Sequence, residues 1–189
     1  MIADQLKEIT KTDHQQLEKL LVSKMKVIRS PQDYLNILQL FYSYFGGLED
    51  RINKYINTHQ LSDYSLRRKT SAIAHDINMF GGVTVEKAGE NSLPQISNHL
   101  QAFGALYVIE GSTLGGSFIS KMISQQLNLD QCQGGFSFFN GYGEKTATMW
   151  ETFKEILNKQ PADATEEHAI CEAANNTFVK FKNWIENNG

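Results

Sequence analysis

The stretch Ala102–Ser120, AFGALYVIEGSTLGGSFIS, decides the fold. Leu106, Ile109, Phe118 and Ile119, with Ile123 just beyond, recur at helical spacing on either side of its middle. The middle itself carries Gly111, Gly115 and Gly116. An interior glycine costs a helix about 1 kcal/mol against alanine, so three of them predict a weakened, kinked helix. Gly111 and Gly115 are four residues apart and share a face. Two readings fit that face: a second helix packed closely, as in small-xxx-small pairs, or a flat ligand lying on bare main chain.

Outward from this segment the pattern stays helical. Ser30-Pro31-Gln32-Asp33 reads as a helix start, with Ser30 as N-cap and Pro31 in the first turn. Leu35, Leu38, Phe41, Tyr42, Phe45, Leu48, Ile52 and Ile56 then follow at spacings of three and four. Asp163-Ala-Thr-Glu166 has the form of a capping box and opens a last helix through Phe178, Phe181 and Trp184. Further helices are expected over Ile2–Val22, Ser62–Met79, Ile96–Leu127 and Lys145–Leu157. Gly135–Phe139, the best candidate strand, reads as a loop between glycines. The expected class is all-α.

Composition narrows the function. The 189 residues are 41% hydrophobic and carry a formal net charge of only −3, which argues against a nucleic-acid binder. Aromatic residues, at 11%, are too plentiful for a disordered chain. Cys132 and Cys171 lie outside any CxxC pair, so no disulfide framework or zinc site is indicated. The longest apolar run, Ala102–Ile109, falls far short of the roughly 18 residues of a membrane span. Asp4, Lys7 and Glu8 stand where a signal peptide would be apolar. A soluble, cytoplasmic protein of one domain, 1–189, is expected, with no nucleic-acid or membrane partner and a monomer as the favoured state.

In the first helix Ile2, Leu6, Ile9, Leu17 and Leu20 cluster on one face, and His14 falls at its edge with Lys7 and Glu18 beside it. Glu18, one turn after His14, can approach the imidazole and fix its tautomer, making the other ring nitrogen a better metal ligand. A solvated surface pair has the same spacing. Of the other histidines, His59 and His168 fall in segments expected to be exposed. His75 and His99 read as ordinary surface or satisfied residues.

Taken together, Leu6–Glu18 (LKEITKTDHQQLE) and Ala105–Gly116 (ALYVIEGSTLGG) resemble the heme oxygenase family in its short bacterial, biliverdin-producing branch. Phe41–Glu49 (FYSYFGGLE) and the final Thr177, Phe178, Phe181 and Trp184 fit the same family, so the likeness covers nearly the whole chain. The resemblance implies a single-domain helical bundle with a glycine-kinked distal helix, and oxidative opening of heme to biliverdin, Fe2+ and CO. Heme would be both substrate and cofactor, with O2 and external electrons from a donor such as ferredoxin or a flavin reductase. It further implies His14 as the iron ligand, Glu18 as its orienting carboxylate and Lys7 as a propionate contact. Gly111, Gly115 and Gly116 would admit the ring to the main chain, with Tyr107, Phe178 and Phe181 as candidate walls. Ser112 stands where animal members carry an aspartate, and would anchor the water that delivers protons.

Three other readings share the helical class. A non-catalytic heme carrier has every binding feature and differs only in turnover. A thiaminase-II-like hydrolase needs a nucleophilic cysteine, and neither cysteine has a recognisable motif around it. A di-iron carboxylate bundle needs Glu-x-x-His pairs, and no histidine here has a glutamate three residues before it. Lys24, Lys26 and Arg29 form a small basic group suited to an acidic electron donor.

Overall fold

The computed structural model describes residues 1–131, 134–161 and 163–189. Among them no strand forms. The helices are α1 (Ile2–Ile9), α2 (Lys11–Lys26), α3 (Pro31–Ile52), α4 (Ser71–Met79) and α5 (His99–Gly111). They continue with α6 (Thr113–Leu127), α7 (Ser137–Asn140), α8 (Thr146–Leu157) and α9 (Ala164–Asn188). Cys132 lies outside the described residues.

The helix starts are chemically fixed. Ser30 Oγ accepts from the Asp33 amide (3.2 Å) while Asp33 accepts from the Ser30 amide (2.9 Å), a reciprocal box with Pro31 in the first turn. Asn98 accepts from the Gln101 amide at 2.9 Å, so α5 begins after Ile96. Asp163 accepts from the amides of Thr165 and Glu166, both at 2.9 Å. Asn128, at φ 51°, closes α6 in the left-handed conformation.

An aromatic centre joins α3, α7 and α9. The Tyr44 ring stacks on Phe181 at 4.7 Å, and Phe45 meets the same ring at 4.7 Å. Phe41 packs edge-on against Phe138 of α7 at 6.3 Å. Helix α5 is buried from Ala102 to Glu110 and lies against α9. Gly104 makes that approach possible: a Cβ there would collide with the Ile170 carbonyl and lie 2.9 Å from the Ala173 Cβ.

Four sequence expectations change. The first helix runs four residues further, to Lys26, and bends at Thr10. The helix expected over Ser62–Met79 forms as a 3-10 turn at Tyr64–Leu66 and then α4, because Arg67 is extended (φ −73°, ψ 148°) and its side chain is held in the interior. Gly135–Phe139 is not all loop: the Asp76 carboxylate accepts from the Ser137 and Phe138 amides, both at 2.9 Å, and starts the short α7. The break between α5 and α6 falls at Ser112, where Ser112 and Thr113 hydroxyls donate back to the Ile109 and Glu110 carbonyls, each at 2.6 Å. Such back-bonding bends helices.

Gly104→Ala should destabilise the apoprotein by about 1–3 kcal/mol through overpacking against α9. Gly115→Ala meets open space and should raise stability by up to about 1 kcal/mol through helix propensity. Thermal unfolding of the two variants compares them directly; equal losses would contradict the packing described here.

Candidate functional site

Helix α2 packs on α9 yet buries only Leu17 and Met25, leaving much of its surface open. His14, Lys7 and Glu18 are all exposed, and their spacings of seven and four put them on one side of the bent α1–α2 helix. The His14 ring rests against Phe178 of α9, centroids 5.5 Å apart at 57°. Lys182 of α9 donates to Gln16 Oε1 at 2.8 Å one half-turn on. No hydrogen bond joins Glu18 to the imidazole in this structure. His59, His75, His99 and His168 are exposed as well, so exposure does not single out His14; the aromatic support does. Glu18 also borders an open groove of about 400 Å³ that follows α2 beside Gln15, Val22 and Lys26.

The glycine-rich segment forms the α5–α6 kink. Its three glycines do different work. Gly115 faces open space, with nothing within 4 Å of a Cβ built there. A Cβ on Gly111 would meet the Trp150 ring at 3.5 Å, and Trp150 in turn packs on Tyr107 at 5.3 Å. Gly116 points the other way, and a Cβ on it would run into the Phe139 carbonyl. The expectation that Gly116 admits a ligand is therefore corrected: successive residues lie 100° apart, and this one lets α7 approach. On the open side Leu114 and Phe118 are 50% and 64% exposed, opposite the buried Thr113, Gly116, Ser120 and Ile123. Bare main chain between exposed apolar side chains suits a flat, apolar ligand. At their C-terminal ends α2 and α6 meet, where Gln126 donates to the Lys26 carbonyl at 3.2 Å.

Behind the kink lies a polar cluster that sequence reasoning missed. Arg67 and Glu110 are 3% and 1% exposed, and Arg67 donates to Glu110 Oε2 at 2.8 Å. Asp63 takes the other edge of the same guanidinium at 2.7 and 2.9 Å. Burial works against the Arg67 charge, but Asp63 and Glu110 outweigh it and raise its pKa. Tyr142 donates to Glu110 and accepts from the Arg68 amide at 2.8 Å. Arg68 donates to the carbonyls of Phe138 (3.1 Å) and Ile109 (2.8 Å) and to Ser112 Oγ (2.7 Å). Burial pushes the Arg68 pKa down to about 10, still charged at neutral pH. Two signals were available: a lone glutamate ending the apolar run 102–109, and adjacent arginines in a weakly charged chain.

Phe178 and Phe181 are both buried in the bundle, and only Phe178 reaches the imidazole. Cys171 is buried, and burial raises its thiol pKa, with Glu167 adding to the effect. That is the reverse of what a nucleophilic cysteine needs. No helix among the described residues is long and apolar enough to cross a membrane.

Comparison with known proteins gives the family. The family model described as heme oxygenase matches residues 1–187. Heme oxygenase PigA of Pseudomonas aeruginosa is 26% identical over 185 residues, covering 97% of this chain and 91% of its own. A heme oxygenase of Xanthomonas campestris is 24% identical over 151 residues, covering 78% of this chain and 86% of its own. Among solved structures, the NO- and CO-bound heme oxygenase of Neisseria meningitidis superposes with a TM-score of 0.83 at 21% identity, over 100% of this chain and 92% of that one. Heme oxygenase-1 of Synechocystis in complex with heme gives 0.75 at 18%, over 98% and 91%. With its all-helical bundle, its kinked α5–α6 pair and a family match from end to end, the chain belongs to the heme oxygenase family.

Proposed function

We propose that this chain opens heme to biliverdin, releasing Fe2+ and CO, at the expense of O2 and electrons from an external donor. The observation that carries the reading is an exposed, aromatic-backed imidazole at His14 combined with the bare Gly115 surface between exposed Leu114 and Phe118. The residues fit the substrate: a neutral imidazole for the iron, main chain and apolar side chains for the ring, and a lysine for a propionate. Heme supplies the redox chemistry; the chain must bind it, orient it and control protons.

His14 would hold the iron through one ring nitrogen, with Phe178 limiting how far the imidazole can tilt. Glu18, one turn on, takes the other N–H once a rotamer change brings it over, which fixes the tautomer. Lys7 lies on the same side and pairs with a propionate. Gly111 and Gly115 would let the porphyrin approach the α5–α6 main chain, which would crowd one side of the ring. Tyr107 acts as a wall indirectly, by holding Trp150 beside Gly111. Ser112 offers an oxygen to a distal water, and that water delivers the protons the ring opening consumes.

The electron donor is of the ferredoxin or flavin reductase kind, and its chemistry belongs to the cytoplasm. Lys24, Lys26 and Arg29 sit together at the end of α2, where Arg29 also donates to the Lys26 and Ile28 carbonyls (2.7 and 2.8 Å). This basic group suits an acidic donor surface.

Adding hemin, then reductant in air, should replace the Soret band with the broad red absorbance of biliverdin. A bound spectrum that survives reductant would identify a carrier instead. His14→Ala should bind hemin with altered Soret and visible bands that added imidazole restores; unchanged spectra would remove the ligand assignment. Gly115→Leu should melt like the parent yet lose most hemin affinity, and normal affinity would return the glycine to a packing role. Rising salt should slow ferredoxin-driven turnover while sparing turnover by a small chemical reductant.

A further inference from the structure

Resting on the heme-opening reading above, we propose that Arg68 is a positioning residue for that reaction. It fills one acceptor site of the Ser112 hydroxyl, whose proton is spent on the Ile109 carbonyl, and sets a positive charge directly behind it.

The accounting at Ser112 is complete. A hydroxyl has one proton and two acceptor sites. The proton goes to the Ile109 carbonyl at 2.6 Å, and one acceptor site takes Arg68 Nη2 at 2.7 Å. One acceptor site is left for a water. A water donating to it is oriented, with its oxygen and second proton turned away from the protein. Without the arginine the hydroxyl would still donate to the Ile109 carbonyl, but both of its acceptor sites would be open and a water would have two places to settle.

The placement of Arg68 argues for this use over a structural one. Its neighbour Arg67 is paired with Asp63 and Glu110, whereas Arg68 forms no ion pair among the described residues and feels Glu110 only from beyond contact. Its partners are carbonyls, a hydroxyl and the Phe138 ring, whose centroid is 4.0 Å away, and its Nε is buried with no partner. Leaving a buried donor unmade is costly. The charged and titratable groups around it are otherwise engaged. Glu110 on α5 serves Arg67 and Tyr142, and Glu49 on α3 accepts from the Thr70 amide at 2.7 Å. Lys69 lies over the Tyr64 ring at 3.2 Å, and Tyr142 is bonded to Glu110 and to the Arg68 amide. The guanidinium also sits at the C-terminal carbonyls of α5, where a cation is favoured. Its positive field therefore points through Ser112 toward the open side of the kink, where it makes a neighbouring water more acidic.

The test uses Arg68→Gln, which keeps two donors for the Phe138 and Ile109 carbonyls and removes the charge, and Arg68→Lys, which keeps the charge. The readout is the pH at which the visible spectrum of the ferric heme complex changes to its alkaline form. Arg68→Gln should move that transition upward by about one unit, and Arg68→Lys should restore it to near the parent value. In a Ser112→Ala background the Arg68→Gln shift should shrink to less than half, because coupled residues are not additive. A normal Soret band with an unmoved transition in Arg68→Gln overturns the proposal and leaves the heme reading standing. The same shift with and without Ser112 shows a charge acting on its own, and overturns the positioning role. Absence of any hemin complex in the parent removes the functional reading and this inference with it.

Discussion

The bend between α5 and α6 is the constraint on which the rest depends. It is set by hydroxyl competition at Ser112 and Thr113, which draws two carbonyls out of regular helical use. It is then fixed from behind by Arg68 on the Ile109 carbonyl and by the buried Arg67–Glu110 pair one residue before the first glycine. Removing one partner from such a pair costs about 3–5 kcal/mol. The kink is thus a rigid feature despite its glycines, and it presents Gly115, Leu114 and Phe118 on one side while Gly116 seats α7 on the other.

Opposite in character is α2. It buries only Leu17 and Met25 and keeps His14 and Glu18 in solvent, with Lys7 of α1 exposed on the same side. Phe178 is the link between the two parts, since α9 carries it beneath His14 and also carries Ile170 and Ala173 against Gly104 of α5. The placements of His14 and of α5 are therefore both referred to a single long helix.

Much of this was legible in the sequence because it is local. The caps at Ser30 and Asp163 and the interruption near Gly111 follow from side-chain chemistry within a few residues. What was misread depends on distant partners. Nothing near Arg67 says that its side chain must reach Glu110, 43 residues on, so the expected helix over Ser62–Met79 was too long. The opposite orientations of Gly115 and Gly116 were available in principle, since neighbours on a helix diverge by 100°, but which of them met open space depended on where α7 docks. Glu110 carried a signal that went unused: a carboxylate closing an apolar run requires a buried cation.

The central claim is a slot for a planar macrocycle between His14 and the bare face of Gly115. A crystal structure of the hemin complex tests it most directly. The account predicts iron bonded to an imidazole nitrogen of His14, with the porphyrin plane passing over Gly111 and Gly115. Iron bonded to His59, His75, His99 or His168, or α2 closed directly onto α6 with the ring bound elsewhere, would contradict it.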